Sequence, residues 1–404
     1  MAVDTTSLKE DASTSTTRER DDTFKADFHP TRITAQTFQR LLTCYNTTAQ
    51  QVQRRKAMLK LQPKGGSKKR KTGSGSGSDA ALITKTEFDS SEERIIEGEA
   101  EKYLELDRWR YERMPALVWQ RLDTGGLEDA EEDEVACFTH EELCRVMEWK
   151  TKHGRPRPAL LGMIRSNQEK LVFKCTSTAL KSLPTVKDKD NSNPTTITEE
   201  VFPKQSMDDL SPLRGVGPAT ASLILSIATT NAKDEESERV QVPFFSDDTY
   251  LWLCVEVYPE SSASPETVRA IRNGGSGTGS GKGPGSKFIK PNGELNLKYN
   301  IAEYRQLWQA CFELRERLSG AGAMISMADI EKVAYVLRNI ALSGYYPDID
   351  AQEILHMSAE QVDALLARLG ECEGGDGDDS PEQKNESETQ DEKGPRSSKK
   401  TRNA

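Results

Sequence analysis

Residues 213–221 read Leu-Arg-Gly-Val-Gly-Pro-Ala-Thr-Ala, which is the most informative stretch of the chain. Gly215 and Gly217 provide positions where the backbone takes a positive φ or lies very close to a neighbour. Pro218 suits the first position of a helix, because the N–H that it lacks would have no helical partner there. Small and aliphatic residues follow as far as Ile227. The stretch therefore predicts a tight turn that opens into a buried helix.

The same turn predicts a site for an anion. Free N–H groups at the start of the second helix point outward, and the helix dipole favours negative charge there. Met207 and Leu210 would form the preceding short helix, and Val216 would pack the turn inward. We interpret the stretch as a helix-hairpin-helix motif that binds one DNA phosphate. Such a contact positions DNA without reading a base. The alternative is an ordinary glycine turn between two core helices.

Composition limits how much of the chain can be packed. Hydrophobic residues make up only 35% of the 404 residues, and charged residues make up 30%. Because that apolar share is low for a chain packed throughout, we predict one domain of roughly 250 residues, large enough for a substantial core. The net charge of −10 argues weakly against a DNA-binding protein. Much of the acid, however, falls in residues 371–392, and local charge matters more for nucleic acid than the total.

The chain divides at shifts in composition. Residues 1–84 are predicted to be mostly disordered, with a short helical piece near 35–61 and a basic Lys/Gly/Ser linker after it. Residues 85–370 are predicted to form the folded domain, and residues 371–404 a disordered acidic tail with a basic end. Flexible insertions within the domain are expected near 184–197, 229–240 and 272–296.

Between these breaks the hydrophobic pattern is helical. Apolar residues recur at helical spacing in residues 91–122 and 299–318. Three helix starts carry a polar residue followed three positions later by Glu, Asp or Gln, which is typical of a capping box. These pairs are Thr139 with Glu142, Ser326 with Asp329, and Ser358 with Gln361. Alternating strand patterns are nearly absent, so we predict an all-α domain.

A basic segment precedes the turn. Residues 140–181 hold nine Lys or Arg against four Glu, a local net charge of +5. Its candidates for phosphate contact are Lys150, Lys152, Arg155 and Arg157, since each cation that neutralises a phosphate strengthens salt-dependent binding. The alternative is a basic face that is merely solvated.

A carboxylate follows the turn, in residues 244–250, which read Phe-Phe-Ser-Asp-Asp-Thr-Tyr. The turn, the aliphatic helix and then Asp-Thr-Tyr resemble the helix-hairpin-helix DNA glycosylase superfamily, which includes endonuclease III and the adenine and alkyladenine glycosylases. The resemblance implies a glycosylase-like bilobal helical domain in which an aspartate faces the flipped nucleotide. Asp248 matches that aspartate. Asp247 is the fallback, because the Asp-Asp pair leaves the register open by one residue.

The chemistry of base removal suits a carboxylate. Breaking an N-glycosidic bond develops positive charge on the sugar, and a nearby anion stabilises that charge most in the transition state. The same group could orient or deprotonate an attacking water. The alternative is that Asp248 serves as the N-cap of a helix that begins near Thr249.

The resemblance also assigns DNA contacts and limits the reaction. It implies that DNA is bound by the turn residues Arg214, Gly215, Val216, Gly217, Ala219 and Thr220. Superfamily members that also cleave the strand carry a lysine at the position of Ala219, which offers no amine. We therefore expect base removal alone. The four-cysteine iron–sulfur loop of some members has no counterpart, so no metal and no cofactor is expected.

A second resemblance is carried by three other stretches. Trp149-Lys150, residues 155–158 (Arg-Pro-Arg-Pro) and Ser166-Asn167, taken with the turn, also look like the Amun-type glycosylase-like proteins of eukaryotes. Aromatic residues near these motifs are candidates for a base pocket or a wedge, although core packing is the commoner role of such side chains. They are Trp149, Phe244, Phe245, Tyr250 and Trp252. His153, in the basic segment, is a candidate phosphate contact.

Together these observations predict a monofunctional DNA glycosylase, a hydrolase of DNA repair that acts on damaged or modified bases in double-stranded DNA. Basic clusters at 68–71 and 396–402 indicate the nucleus. Scattered cysteines indicate a reducing compartment, and no apolar run is long enough for a membrane span. The alternatives are an inactive DNA-binding module of the same fold and a nuclear adaptor.

Overall fold

The computed structural model describes residues 27–63, 85, 87–124, 138–184, 201–230, 240–259, 296–357, 361–362 and 364–365. All regular secondary structure within these ranges is helical, and they contain no β-strand, which confirms the all-α prediction. The basic linker, most of the three expected insertions and the acidic tail lie outside the described residues.

The described helices fall into an N-terminal, a central and a C-terminal group. The N-terminal group comprises α1 (Ala35–Thr43), α2 (Tyr45–Leu61), α3 (Ser90–Arg108), a π-helical turn (Trp109–Arg113) and α4 (Met114–Thr124). The central group comprises α5 (His140–His153), α6 (Pro158–Arg165), α7 (Glu169–Lys181), α8 (Lys204–Leu210), α9 (Pro218–Thr229) and α10 (Asp247–Cys254). The C-terminal group comprises α11 (Ile301–Gly320), α12 (Met327–Arg338), a 3₁₀ turn (Ile340–Leu342) and α13 (Ala351–His356).

The first two helices belong to the core. Phe38, Leu41 and Tyr45 are buried at helical spacing, and α2 packs along α3. Upstream of α1, the carbonyl of Phe28 accepts a 2.8 Å hydrogen bond from the indole of Trp252 in α10. The boundary of the helical domain was predicted at residue 85, but the domain starts earlier. The apolar side chains of α1 and the start of α2 are covered by helices from distant parts of the chain.

The caps follow the sequence closely. The predicted capping boxes at Thr139–Glu142 and Ser326–Asp329 are confirmed, and each satisfies backbone N–H groups that the first helical turn leaves unpaired. Further boxes occur at Asp89–Glu92 and Asn300–Glu303. Ser358 lies outside the described residues.

The long helical pattern at 91–122 is interrupted by one π turn, Trp109–Arg113. Pro115 lies two residues beyond this turn, and a proline inside a helix removes one hydrogen bond and crowds the carbonyl four residues earlier. The wider turn accommodates that crowding while both flanking helices continue. Because of it, Trp109, Arg110 and Tyr111 are all buried.

A buried ion pair fastens this turn to α12 and α9. The guanidinium of Arg110 donates to the carboxylate of Glu331 at 2.7 Å and to Ser226 at 3.2 Å. Both side chains of the ion pair are almost inaccessible, at 0% and 3%. Burial raises the pKa of Glu331, and the charge of Arg110 opposes that rise.

A second buried cluster, here called the interior network, comprises Asp107, Tyr45, Tyr103, Trp149 and His153. Asp107 Oδ1 accepts hydrogen bonds from the Trp149 indole at 2.7 Å and from the hydroxyls of Tyr45 at 3.0 Å and Tyr103 at 3.2 Å. The Tyr103 hydroxyl also lies 2.6 Å from His153 Nδ1. The network joins α2, α3 and α5 and fixes the end of α5 that leads to the site.

Candidate functional site

The predicted turn lies between α8 and α9, and its two glycines have different roles. Gly215 has a φ of +82°, and a Cβ built there would lie 3.2 Å from Met163 Cβ. Gly217 has a φ of −105°, and nothing would lie within 4 Å of its Cβ. Of the two, therefore, only Gly215 needs the left-handed region. At Gly217 the space beside the start of α9 is open.

Asn167 holds this turn in place. Its amide nitrogen donates to the carbonyl of Arg214 at 3.0 Å, and its side-chain oxygen accepts from the N–H of Arg214 at 2.8 Å. The same nitrogen donates to the carbonyls of Met163 and Ile164 at the end of α6. The Ser166-Asn167 stretch of the sequence thus has a structural role, which is to fasten the hairpin to α6.

A cavity of about 480 Å³ opens beside the turn. Its wall includes the hairpin, the end of α5 and the start of α10, with further residues from α2 and α12. Two acidic residues, Asp247 and Asp248, line it. Seven basic residues also line it: Arg55, Lys56, Lys150, Arg155, Arg157, Lys298 and Arg338. This strong excess of positive charge favours a polyanionic ligand.

Lys150 lies where α5 meets the hairpin. Its ammonium donates a 2.9 Å hydrogen bond to the hydroxyl of Thr220 and lies 5.5 Å from the centre of the Phe244 ring. Burial lowers the pKa of Lys150, Asp247 opposes that shift and Arg157 adds to it, and together they bring the pKa to about 7. The side chain is partly exposed to the cavity, so it joins the hairpin to the ligand space.

Asp247 is held by a chain of two side chains. The Tyr299 hydroxyl donates to Asp247 Oδ1 at 2.7 Å and accepts from Arg157 at 2.9 Å. The Arg157 guanidinium also lies over the Tyr299 ring, 4.9 Å from its centre. Tyr299 has a φ of +52°, which is uncommon for a tyrosine and holds its ring at the cavity wall. Lys150, Asp247, Tyr299 and Arg157 are called the cavity cluster below.

Asp248 has different surroundings. One of its carboxylate oxygens lies 3.9 Å from Arg338 Nε, and both side chains are about one-fifth exposed. It is not the cap of its helix, because α10 begins at Asp247 and its N-cap is Ser246, whose hydroxyl accepts from the N–H of Thr249. The alternative role considered for Asp248, as a plain N-cap, is therefore wrong. Both aspartates line the cavity.

The predicted DNA contacts divide between cavity and surface. Ala219 and Thr220 line the cavity together with both hairpin glycines and with Lys150, Arg155 and Arg157. Val216 is buried and packs the turn inward as predicted. Lys152 does not line the cavity and pairs with Glu148 on α5. Arg214 is exposed beside the turn.

The aromatic candidates are core residues, which is the commoner role of such side chains. Trp149, Tyr250 and Trp252 are buried away from the cavity wall, and Phe244 and Phe245 are buried but contribute to it. His153, the candidate phosphate contact, lines the cavity wall, but most of its ring lies in the interior. It is buried, bonded to Tyr103 and stacked between Trp149 and Tyr335, and burial holds its pKa well below the usual value.

Several site residues were missed by sequence reasoning. Arg55 and Lys56 come from α2, Tyr299 precedes α11, and Arg338 ends α12. Each is at least 78 residues from the hairpin stretch 213–221 in sequence, and no local pattern marks it as part of a site. A weak signal was available only for Tyr299, which stands immediately before the Asn300 cap of a long helix.

A comparison of the chain with protein families, with curated proteins and with solved structures found no match. Among the described residues, no helix is long and apolar enough to cross a membrane. Within the same ranges, no group of three or more His, Cys, Asp or Glu side chains is arranged to hold a metal ion.

Proposed function

We propose that the protein is a DNA N-glycosylase that removes damaged or modified bases from double-stranded DNA in the nucleus. The observation that carries the proposal is the cavity itself. It joins a hairpin suited to a phosphate, seven basic residues and two aspartates in one space of about 480 Å³. That volume lies in the usual range for small-molecule sites and suits one extruded nucleotide.

The hairpin supports DNA binding. The space at Gly217, beside the positive end of the α9 dipole, is open, and Asn167 fixes the turn that leads into this helix. The basic cavity wall extends this anion site on either side. These features favour DNA over a protein ligand, because a neutral or acidic surface around the hairpin would be expected of an adaptor.

The two aspartates support hydrolysis of the glycosidic bond. Either carboxylate would stabilise the positive charge that develops on the sugar as the base departs. Asp248 remains the leading candidate from the sequence, and Asp247 is the alternative, already bound to Tyr299. The second proposal, an inactive DNA-binding module of the same fold, keeps the hairpin and the basic wall but assigns no chemistry to these aspartates.

The test is a screen of duplexes, each bearing one damaged or modified base, for release of the free base. Asp248→Asn and Asp247→Asn form a matched pair, since each substitution removes one negative charge and preserves shape. We expect one of the two to lower the rate of base release at least about a hundredfold, while the other lowers it less.

Duplex binding distinguishes the two proposals. If no lesion is processed but the protein binds duplex DNA with a steep salt dependence, the glycosylase is excluded and the binding module stands. If the protein neither releases a base nor binds duplex DNA, both proposals fail.

A further inference from the structure

One part of the cavity wall is apolar and contains neither hairpin residues nor aspartates. Its side chains come from α2, the 3₁₀ turn and α13, which pack against one another. We propose that this part of the cavity receives a hydrocarbon group, larger than a methyl, that is attached to the extruded base. The proposal rests on the proposed function for the entry of a nucleotide into the cavity. The apolar wall, as it is called below, comprises Val52, Leu59, Ile340, Ala341, Leu342 and Ile354.

One face of α2 forms a side of this wall. Four of its residues line the cavity at the spacing of a single helix face: Val52, Arg55, Lys56 and Leu59. The two cations among them bind the ends of neighbouring helices. Lys56 donates to two carbonyls at the end of α5, at 2.8 and 3.1 Å, and Arg55 to two carbonyls at the end of α13, at 3.3 and 2.9 Å. Because these bonds hold both charged groups at helix C-termini, Val52 and Leu59 give this face of α2 an apolar surface.

The order of residues along the cavity directs the base to the apolar wall. The N–H of Phe245 donates to Ser222 at 3.0 Å, which places the segment before α10 beside the hairpin helix α9. On its other side, Asp248 lies 3.9 Å from Arg338, and Ile340 of the apolar wall follows Arg338 by two residues. The start of α10 therefore lies between the hairpin helix and the apolar wall. A nucleotide with its phosphate at the hairpin and its sugar at the aspartates would point its base toward that wall.

An unmodified base suits this wall poorly. Extrusion removes the hydrogen bonds of its pairing edge, and a donor or acceptor left unpaired in a buried site costs free energy. The amide of Asn339, next to Ile340, donates to the carbonyl of Tyr335 at 2.9 Å, so this donor binds the end of α12. A hydrocarbon group needs no hydrogen bond, and its burial gains free energy in proportion to its area. The apolar wall therefore favours a base whose pairing edge is covered by an alkyl or aryl substituent.

The test measures the affinity of the full-length protein for duplexes that differ at one central adenine. This adenine is unmodified, methylated at N6 or benzylated at N6, and it stands opposite thymine. We expect the benzylated duplex to bind at least about tenfold more tightly than the methylated one, because the ring is buried against the apolar wall. A benzyl group also weakens the base pair and so eases extrusion. An unmodified adenine opposite cytosine controls for this effect and should bind more weakly than the benzylated duplex.

Two substitutions in the apolar wall test where the benzyl group lies. Ala341→Leu fills the space, and Leu59→Gln places a polar group on the half-buried face of α2 without enlarging the side chain much. Both should bring the ratio of the benzylated to the methylated affinity close to one. Ala321→Leu is the matched control and should keep the parental ratio, because Ala321 is exposed after α11 and does not line the cavity.

Three results would overturn the proposal: equal affinities for the benzylated and methylated duplexes, a mismatched duplex bound as tightly as the benzylated one, or a parental ratio in both wall variants. The first two use the unaltered protein, so a folding defect in a variant cannot hide the answer. The failures are also distinguishable. Duplex binding without a preference for the benzyl group sinks this proposal alone, whereas a lack of binding to every duplex sinks it together with the proposed function.

Discussion

The interior network and the cavity cluster share α5, on which the neighbouring residues Trp149 and Lys150 serve one each. Trp149 donates inward to Asp107, and Lys150 donates outward to Thr220. In the interior, one carboxylate oxygen accepts three hydrogen bonds from indole and phenol groups. In the cavity, the basic side chains outnumber the acidic ones. The groups of the interior network complete one another's hydrogen bonds. The cavity, in contrast, has an excess of positive charge that a ligand could neutralise.

The difference shows how a structural polar group can be distinguished from a functional one. Burying a polar group costs free energy unless neighbours supply its hydrogen bonds, so a network completed by its own side chains serves the fold. A partly exposed cluster in which one sign of charge is in excess gains most when a ligand of the opposite charge arrives. Breaking the first cluster should therefore lower stability, and breaking the second should change binding or chemistry.

The largest expected effect is on the buried ion pair that adjoins the interior network. Glu331→Ala should lower the free energy of unfolding by about 3–5 kcal/mol, because the buried charge of Arg110 would lose its partner. Urea titration followed by circular dichroism measures this. The double variant Arg110→Met with Glu331→Leu should recover most of the loss. If it is no more stable than the single variant, the uncompensated charge is not the cause.

The next largest effect tests the interior network itself. Trp149→Phe keeps most of the buried ring but removes the indole donor to Asp107. We expect unfolding to become easier by about 1–3 kcal/mol, since the bond removed is to a buried carboxylate. Duplex DNA affinity should stay within about twofold of the parent. A large loss of affinity in a variant of near-parental stability would show that the two clusters are not separate.

A smaller effect separates the two hairpin glycines. Gly215→Ala should cost about 1–2 kcal/mol of stability, because alanine is strained at a φ of +82° and its methyl would crowd Met163. Gly217→Ala should leave stability within about 0.5 kcal/mol, since nothing surrounds its Cβ. Its methyl would instead occupy the phosphate approach and weaken duplex binding about tenfold, or ~1.4 kcal/mol. Equal DNA affinities for Gly217→Ala and the parent would contradict the anion site.

The sequence predicted what depends on local rules. The helical class follows from apolar spacing, two predicted capping boxes follow from side chains three residues apart, and the turn follows from Gly215 and Pro218. These features are decided within a few residues, so one sequence is enough to find them.

What the sequence could not predict depends on contacts between distant segments. The bond between Tyr299 and Asp247 spans 52 residues, and that between Lys150 and Thr220 spans 70. His153 lies in a basic segment whose composition predicts exposure to solvent. Its ring is nevertheless covered by Tyr335, from a distant part of the chain. The π turn was not predicted either. The apolar spacing of residues 91–122 is that of one continuous helix, and only Pro115 indicates an irregularity.

The smallest expected effect concerns the charge of Lys150 during DNA binding. In the protein without DNA, the pKa of the Lys150 amine is about 7, so raising the pH through that value removes one positive charge from the cavity. Of the groups near it, burial raises the pKa of Tyr299, and burial lowers the pKa of the His153 imidazole. The slope of log affinity against log salt should therefore fall by up to about one unit from pH 6 to pH 9.

A bound phosphate favours the ammonium, which shifts the midpoint of this change above pH 7. Lys150→Met should show the lower slope at every pH. A parent slope that does not change with pH would mean that DNA does not contact this amine.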